Sequence, residues 1–398
     1  MEHLAVIQTL CRVGLAGGDD KFRKQVERLR ERLRKAGDVE SAETIDAVLQ
    51  AVERTATLQP SRVELSRNVI GEQLTASTNP PFDKESGAPL AQIILDPGQS
   101  ILPPVLTQEL EQALSAVLRE WVDYDRLKKL GIAPTHSALI FGAPGTGKTV
   151  TAMHIAAQLG LPVVLARLDG IMSSLLGTTA RNIGTLFEFA NRYRCVLLLD
   201  EFDALAKLRD DPQEVGEIKR VVNTLLQCLD VRGPLGLTVA VTNHPALLDP
   251  AIWRRFEIKI EMPLPPATAR ERLLADFLAP ITVQDSAVHL LAWASDGASG
   301  ADVRAMAHAI KRYFVLEKQE SEAPHLEASE VLIALQRYHV TSANLEGRPR
   351  LAALREEPRT IAKALLGNAS GSFTQASVAQ LLGRDQGTIS RWMKEEPA

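Results

Sequence analysis

The sequence predicts an α/β fold built around a parallel β-sheet. Between residues 101 and about 265, strand-sized apolar runs alternate with helical stretches, the pattern of strands joined by crossover helices. The runs at 138–141 and 195–199 are apolar throughout, and the run at 237–241 carries a single threonine. Strands buried on both faces have this composition. We therefore expect a sheet covered by helices on both sides.

The composition is typical of a chain with several globular domains. At roughly 100–200 residues per domain, 398 residues predict two to four domains. A hydrophobic fraction of 45% and a charged fraction of 24% exclude a wholly disordered or collagen-like chain. The formal net charge of −4 excludes a globally basic nucleic-acid coat but leaves a local basic module open.

Targeting signals are absent from the sequence pattern. No apolar run approaches the ~18 residues of a membrane span, and no basic stretch opens the chain as in a secretory signal. The cysteines, Cys11, Cys195 and Cys228, lie far apart, which argues against a disulfide framework or a zinc cluster. We therefore predict a cytoplasmic protein with no membrane partner.

Residues 1–55 are predicted to form a helical N-terminal domain. Apolar residues from Phe22 to Leu33 recur at spacings of four, three and four, which places them on one helical face. The stretch 21–35 carries eight basic and two acidic residues. Two interpretations remain open: a solvated helix surface, or a docking helix for an acidic partner. Residues 56–100 contain several Pro and Gly breakers and are predicted to be a linker with one strand at 91–95.

A glycine-rich loop at Gly142–Thr149 is the sharpest signal in the chain. It follows an apolar strand and precedes a helix, so its backbone N–H groups and the helix N-terminus would face the same anion. Lys148 is placed to reach the β- and γ-phosphates of a nucleotide, and the hydroxyl of Thr149 is placed to bind Mg²⁺. The residues expected to bind the phosphates of a nucleotide are Gly142, Pro144, Gly145, Thr146, Gly147, Lys148 and Thr149.

Two further strand ends carry polar residues suited to phosphoanhydride hydrolysis. Asp200 and Glu201 follow the apolar run 195–199. We expect Asp200 to bind Mg²⁺ and Glu201 to polarise the attacking water as the general base. Asn243 follows the run 237–241 and is predicted to contact the γ-phosphate or to position that water.

Arg254 and Arg255 form an arginine pair downstream of these strands. A γ-phosphate in the transition state needs a guanidinium to stabilise its charge. The two arginines can stabilise a γ-phosphate most easily if both face the nucleotide of a neighbouring subunit.

Residues 101–320 resemble an AAA ATPase of the AAA+ superfamily. Gly142–Thr149 is similar to the Walker A motif, Leu197–Glu201 to Walker B, Asn243 to sensor-1, and Thr242–Phe256 to the second region of homology. The resemblance implies a P-loop NTPase sheet at 101–265, a helical lid at 266–340, Mg²⁺-dependent ATP hydrolysis, and a homo-hexameric ring with ATP between subunits.

Details of two motifs refine this resemblance. The Arg254-Arg255-Phe256 sequence is most like the katanin and spastin branch, in which both arginines contact the neighbour's nucleotide. The lid contains Gly297-Ala-Ser-Gly-Ala-Asp302, similar to a helix start that this family has where other clades carry a sensor-2 arginine. We therefore do not expect Arg304 to act as a sensor-2 residue.

The predicted pore loop departs from the family pattern. Related unfoldases carry an aromatic–hydrophobic–Gly triplet there, whereas this chain has Leu175, Leu176 and Gly177. An aliphatic side chain offers less contact area than an aromatic one and cannot stack on bases. Both the threading of a peptide and contact with one fixed partner remain open.

Residues 348–398 resemble a helix-turn-helix module. Small Ala379, turn-forming Gly383 and apolar Ile389 stand at the spacing of that motif. The side chains expected to face DNA bases are Gln386, Thr388, Ser390 and Arg391. The segment has eight basic and five acidic residues, which is compatible with DNA. Use of the module for protein contact or plain packing remains open.

Three hypotheses follow for the biological action of this ATPase. The first is remodelling or regulation of a protein partner by a ring. The stretch Gly17–Phe22 is similar to bacterial AAA proteins associated with subtilisin-type proteases, so a co-encoded effector such as a protease is one expected partner. The alternative is a DNA-associated ATPase, namely a regulator or a mobile-element, plasmid or defence factor targeted by residues 348–398. The third is a nucleotide-gated switch that assembles without translocation.

Overall fold

The protein is described from a computed structural model. The residues that it describes are 20–35, 37–38, 41–42, 44–46, 72–99, 103–172, 178–204, 215–232, 236–318, 324–341, 348–367 and 373–394. The chain divides into two compact units, residues 1–72 and 73–398.

The first unit contains the basic helix α1, Asp20–Lys35. Val26 on this helix and Ile45 beyond it are buried. Arg30 donates to Asp46 at 2.7 Å, and Arg34 lies 3.8 Å from the other oxygen of the same carboxylate. Part of the positive charge of α1 is therefore neutralised within the unit, and both interpretations of the helix stay predictions.

The second unit is built on a six-stranded sheet with the order β1-β3-β4-β5-β2-β6. Its strands are β1 Ala91–Ile94, β2 Ser137–Gly142, β3 Val163–Ala166, β4 Val196–Leu199, β5 Thr238–Thr242 and β6 Ile258–Met262. Neighbouring strands are parallel except β1, which pairs antiparallel with β3. The predicted parallel α/β sheet is therefore confirmed.

Helices cover both faces of this sheet. They are α2 Gln108–Val122, α3 Tyr124–Lys129, α4 Lys148–Gln158, α5 Leu168–Ile171, α6 Thr178–Arg192, α7 Val215–Asp230 and α8 Pro250–Arg255. Strand β4 shows why its sequence is apolar throughout. Leu197 and Leu199 pack into the core on one face, whereas Val196 and Leu198 pack into the core on the other.

The edge strand β1 lies inside the segment predicted to be a linker. Leu90 is fully buried and Ala91 nearly so, since both pack against the sheet core. Residues 73–99 therefore belong to the packed second unit and do not form a spacer. The predicted strand at 91–95 is present at 91–94. The other predicted domain boundaries stay predictions.

Four helices and a short strand pair follow the sheet. The helices are α9 Ala267–Leu278, α10 Asp285–Ala294, α11 Gly300–Glu317 and α12 Ala328–Thr341, and the parallel pair is β7 Thr282–Val283 with β8 His325–Leu326. Leu290, Met306 and Leu335 are fully buried in their common core. This region corresponds to the predicted helical lid.

The C-terminal segment continues the hydrophobic core of the lid. Its helices are α13 Pro349–Ala353, α14 Pro358–Leu366, α15 Gln375–Leu381 and α16 Gln386–Lys394. Leu351, Val378 and Ile389 are fully buried in the same core as Leu335 of α12. Gly383, at φ +59°, lies in the turn between α15 and α16. The segment thus shares one hydrophobic core with α12, and its use as a DNA-binding module stays a prediction.

Some predictions lie outside the described residues. The pore-loop residues Leu175, Leu176 and Gly177 fall in the gap 173–177, and Gly17–Asp19 fall in the gap before α1. Across the described segments, every helix is too short or too polar to cross a membrane. The cytoplasmic location stays a prediction.

Candidate active site

Three strands end together at one edge of the sheet and gather the polar residues predicted from sequence. Phe141 of β2 pairs with Thr242 of β5, and Leu199 of β4 pairs with Ala240 of β5. Gly142 is the last residue of β2, and Asp200 and Asn243 directly follow β4 and β5. The carboxyl ends of parallel strands are the usual place for a ligand in such sheets.

The glycine-rich loop adopts backbone conformations that favour glycine. Gly142, Gly145 and Gly147 have φ values of +143°, +76° and +94°. A Cβ atom on Gly142 would lie 2.3 Å from the carbonyl oxygen of Met262, so this position tolerates no side chain. Helix α4 begins at Lys148, directly after the loop. The free N–H groups of its first turn therefore contribute to an anion-binding cradle.

Lys148 is held inside this loop. Its side chain is 5% exposed, and Nζ donates to the carbonyl oxygens of Gly142 at 2.9 Å and Ala143 at 2.7 Å. Burial lowers the pKa of Lys148 below its ordinary value, while the charges of Asp200 and Asp203 oppose that shift. A poorly hydrated cation in a loop lined with N–H groups attracts an anion such as a phosphate.

Thr149 and Asp200 supply the oxygen atoms that Mg²⁺ prefers. Thr149 Oγ1 donates to Asp200 Oδ2 at 2.9 Å, so the two predicted ligands are already together. In the described part of the chain, His, Cys, Asp and Glu side chains form no group of three or more suited to a metal. A hydroxyl and one carboxylate match the usual protein share of a Mg²⁺ site whose remaining ligands are phosphates and water.

Glu201 projects into the site from a left-handed backbone. Its φ of +51° is the only positive value for a non-glycine residue among the residues described. Two hydrogen bonds stabilise this backbone conformation. The N–H of Glu201 donates to Asp200 Oδ1 at 2.9 Å, and the N–H of Phe202 donates to the carbonyl oxygen of Val241 at 2.8 Å. Such conformations are uncommon outside glycine and cluster at functional sites. The carboxylate of Glu201 is exposed and lines the cavity.

Most of the predicted residues, from Pro144 to Thr149 with Asp200, Glu201 and Asn243 but without Gly142, line one open cavity of about 570 Å³, a size that suits a nucleotide-sized ligand. The lining also includes Gly300, Ala301 and Arg304 of α11. The N–H of Ala301, at the start of α11, donates to the carbonyl oxygen of Gly145 at 3.1 Å. The lid therefore touches the phosphate loop directly.

Arg304 is a cavity residue that the sequence analysis set aside. It lines the cavity beside Phe277, and its guanidinium lies 5.7 Å from the centre of that ring. Its position follows from helical spacing, since it lies one turn after Gly300 and Ala301, which touch the loop. Arg304 therefore lies at the cavity, and the expectation that it does not act as a sensor-2 residue stays a prediction.

Asp203 is a second residue that the sequence analysis missed. It is 6% exposed, its Oδ1 is buried without a hydrogen-bond partner, and its Oδ2 lies 3.9 Å from His244 Nε2. Its charge also acts on Lys148. The sequence could have indicated Asp203 through its spacing, because a residue three positions after Asp200 lies about one turn further on and can face the same site.

Arg254 and Arg255 stand apart from this cavity. Both are exposed at the C-terminal end of α8, and neither lines the cavity of its own subunit. Arg255 forms an ion pair with Asp230, with Nη2 3.2 Å from Oδ2. The structure therefore separates the two arginines from the catalytic residues Glu201 and Asn243 predicted in the same chain.

The predicted DNA-facing residues differ in their surroundings. Gln386 and Arg391 on α16 are exposed, whereas Thr388 and Ser390 are half-buried. The hydroxyl of Thr388 donates to Asp385 Oδ2 at 2.8 Å, and its N–H donates to Asp385 Oδ1 at 2.9 Å. Because Thr388 belongs to the N-terminal cap of α16, its hydroxyl proton is already used within the module.

Replacing Gly145 by alanine should weaken nucleotide binding about tenfold. The new Cβ would lie 2.6 Å from Ser299 Oγ and 2.8 Å from Ala301 Cβ, so the lid must shift away from the loop. Overpacking of this kind costs roughly 1–3 kcal/mol, and 1.4 kcal/mol is a factor of ten in affinity. Titration with ADP measures the effect.

Gly131→Ala is the matched control for this substitution. Gly131 has a φ of +73°, and a Cβ there would meet no atom within 4 Å. Both variants should lose roughly 1–2 kcal/mol of unfolding free energy from backbone strain. Only Gly145→Ala should lose ADP affinity, and equal ADP affinity in the two variants would contradict the proposed contact.

Comparison with known proteins places this arrangement in context. Residues 138–264 match the family described as "ATPase family associated with various cellular activities (AAA)". An uncharacterized AAA family ATPase of Sinorhizobium fredii, y4kL, is 35% identical over 258 residues, which cover 65% of this chain and 74% of that protein.

Further relatives match over a shorter share of their length. The 26S proteasome subunit RPT4 of Saccharomyces cerevisiae is 31% identical over 50% of this chain and 47% of its own. The proteasome-activating nucleotidase of Methanothermobacter thermautotrophicus is 35% identical over 45% of this chain and 46% of its own. The chain thus spans about half the length of these two relatives. The crystal structure of the FIGL-1 AAA domain has a TM-score of 0.52 at 22% identity, covering 69% of this chain and 94% of that domain, which supports the fold alone.

Proposed function

The chain belongs to the AAA family of ATPases, and from that premise we propose that it remodels a protein partner as a homo-hexameric ring driven by ATP hydrolysis. Membership of this family and its relatives indicate ATP hydrolysis. The observation that carries the ring proposal is the separation of Arg254 and Arg255 from the cavity of their own subunit.

The chemistry of the proposal uses the residues that line the cavity. Glu201 takes a proton from a water that attacks the γ-phosphorus, and the bond to the bridging oxygen of the β-phosphate breaks, giving ADP and phosphate. Asn243 orients that water or the γ-phosphate. Lys148 and the loop N–H groups bind the β- and γ-phosphates. Thr149 and Asp200 would hold Mg²⁺, which supplies charge neutralisation on the phosphate oxygens when bound.

We propose that a second subunit completes the positive charge around the cavity. Among the described residues that line it, the cations are Lys148 and Arg304. Phosphoryl transfer gains roughly 10³–10⁵ in rate from an arginine aimed at the transferring phosphate. We propose that Arg254, with Arg255 beside it, supplies this guanidinium to the neighbouring subunit. Sedimentation of the full chain with a non-hydrolysable ATP analogue should then give a closed oligomer.

A protein substrate is favoured by the names of the relatives. Two of them are named for the proteasome. We propose that a polypeptide contacts the ring through the loop containing Leu175, Leu176 and Gly177. The genes next to this one would name the first partner to test, for example a protease.

An ATPase assay with a permanently unfolded polypeptide tests this proposal. Turnover should rise at saturating polypeptide, and Leu175→Asp should remove that rise without changing basal turnover. Met393→Asp is the control, because Met393 is an exposed apolar residue on α16, in the C-terminal segment. A chain that neither binds unfolded polypeptide nor changes its turnover would contradict a protein-remodelling role for this loop.

The second candidate function is DNA-directed action through the C-terminal segment. The observation in its favour is the exposed polar face of α16, with Gln386 and Arg391, in a segment of eight basic and five acidic residues. Deleting residues 348–398 is not a clean test, because Leu351, Val378 and Ile389 fill the core of the lid. Single substitutions on the surface of α16 avoid this problem.

On this alternative, Arg391→Gln should weaken duplex binding and reduce the salt slope of the affinity by about one. Arg355→Gln is the matched control, because Arg355 is exposed in the same segment but lies outside α16. Binding is measured by fluorescence anisotropy of a labelled duplex between low and moderate salt. If the full chain binds no duplex even at low salt, the DNA alternative is wrong.

A further inference from the structure

The first turn of lid helix α11 contacts the phosphate loop. The N–H of Ala301 donates to the carbonyl oxygen of Gly145 at 3.1 Å. Ser299 lies so close that a methyl group on Gly145 would be 2.6 Å from its Oγ. The position of residues 299–301 therefore constrains the loop that we propose to bind phosphates.

A reciprocal capping box holds this turn in place. Asp302 Oδ2 accepts hydrogen bonds from the N–H of Ser299 at 3.0 Å and from its hydroxyl at 2.8 Å. The N–H of Asp302 donates back to Ser299 Oγ at 3.3 Å. The carboxylate of Asp302 thus sets the backbone path of the residues that touch Gly145.

The same oxygen of Asp302 is bound by the C-terminal segment. Arg348, the residue before α13, forms an ion pair with Asp302 in which Nη2 lies 2.6 Å from Oδ2, and its side chain is only 16% exposed. Burial alone would raise the pKa of Asp302, but the hydrogen bonds from Ser299 and the charge of Arg348 hold that pKa below its ordinary value. The carboxylate is therefore ionised at neutral pH and pairs with Arg348 as an ion.

Arg348 is tied to the helices of the C-terminal segment. It precedes α13, whose Leu351 is fully buried in the core that also contains Val378 and Ile389. A displacement of α15 and α16 by a bound partner would be transmitted through this packed core to Arg348, because packed cores deform little. The chain of contacts runs from the C-terminal helices through Arg348 and Asp302 to Gly145.

We propose that Arg348 is a positioning residue of the nucleotide site. Arg348 holds Asp302, and Asp302 keeps the turn 299–301 in contact with the glycine-rich loop. Through these contacts the C-terminal segment is coupled to nucleotide affinity. The proposal rests on the proposed nucleotide site at Gly142–Thr149. Coupling of this kind is reciprocal, so bound nucleotide must alter the affinity of the C-terminal segment for its partner by the same factor.

The test compares Arg348→Gln with Arg350→Gln in the full chain. Arg350 is the matched control: it also ties the C-terminal segment to the lid, through Asp296 at 3.2 Å and the ring of Trp293, but the contacts described for Asp296 do not include the loop. Arg348→Gln should weaken ADP binding about fivefold, at the low end of typical coupling between sites. It should raise KM for ATP and leave kcat within about twofold, because the loop binds ground state and transition state alike.

A double-mutant cycle separates the proposed route from general destabilisation. Asp302→Asn keeps the acceptor oxygen of the capping box but loses the ion pair with Arg348. In the Asp302→Asn background, Arg348→Gln should have no further effect on ADP affinity, because the two side chains act through one contact. Arg348→Lys keeps the charge and should recover most of the lost affinity.

Two outcomes overturn the proposal. One is an ADP affinity of Arg348→Gln equal to that of Arg350→Gln, and the other is additive losses in the Asp302→Asn cycle. Lys148→Ala distinguishes a failure of the site itself: it should abolish ADP binding if the nucleotide site is where we propose. If Lys148→Ala binds ADP as well as the unmodified chain, the proposed nucleotide site is wrong. If Lys148→Ala loses ADP binding but Arg348→Gln keeps its ADP affinity, only the proposed coupling is wrong.

Discussion

Replacement of Glu201 by glutamine should leave the chain able to bind ATP and lower its turnover by at least about a hundredfold. Glutamine keeps the shape of the side chain and the φ of +51° but cannot accept the proton of the attacking water. The contacts that we propose for the phosphates come from the loop, Lys148 and Thr149, so binding is retained. Phosphate release under saturating ATP and equilibrium binding of labelled ATP measure the two quantities.

The control for this prediction is Glu356→Gln, the same chemical change at an exposed position of the C-terminal segment. It should leave both binding and turnover unchanged. Full turnover by Glu201→Gln would show that another group accepts the proton. Asp203 would then be the next residue to test, since it is buried nearby with an unpartnered oxygen.

Replacement of Arg254 by alanine should lower turnover by about a thousandfold while sparing nucleotide binding. Binding is spared because Arg254 does not line the cavity of its own subunit. Arg255→Ala should act in the same direction, although Arg255 must first leave Asp230, to which it is paired at 3.2 Å. Arg312→Ala, at an exposed position on α11, is the control and should behave as the unmodified chain.

Mixing two inactive variants decides whether the arginine acts across a subunit interface. A subunit lacking Arg254 keeps an intact cavity, and a subunit lacking Lys148 keeps its arginine. A mixed ring therefore contains interfaces in which a complete cavity meets an intact Arg254, and ATP turnover should partly recover. Absence of recovery at every mixing ratio, with mixed oligomers shown to form, would contradict action in trans.

Local patterns in the sequence were sufficient for the sheet and the phosphate loop. The period of two in strand β4 sends alternate side chains into two cores, so both must be apolar, and the run 195–199 follows directly. The loop glycines have positive φ values that other residues rarely adopt, so Gly142, Gly145 and Gly147 are recognisable by themselves. The polar residues after β4 and β5 were predictable because parallel strands end at one edge.

The linker prediction for residues 56–100 shows where such patterns stop being informative. Its Pro and Gly residues do break secondary structure, but a short strand at 91–94 still pairs with β3. Pro and Gly residues indicate only the local backbone conformation. Whether a segment pairs with a distant strand depends on which edge strand of the sheet is free to pair. For the same reason, the spacing of Ala379, Gly383 and Ile389 predicted two crossing helices without showing that they share a core with the lid.

The sequence by itself determined the α/β class, the phosphate loop and the residues at the strand ends, because each depends on neighbours within a few positions. Only the tertiary structure decided that Arg304 lines the cavity and that Arg254 and Arg255 lie outside it. It also showed that Asp203 is buried near His244 and that Arg348 forms an ion pair with Asp302. Asp302 and Arg348 are separated by more than forty residues of chain, and no periodicity links them. Their contact exists because α11 and the C-terminal segment are packed into one hydrophobic core.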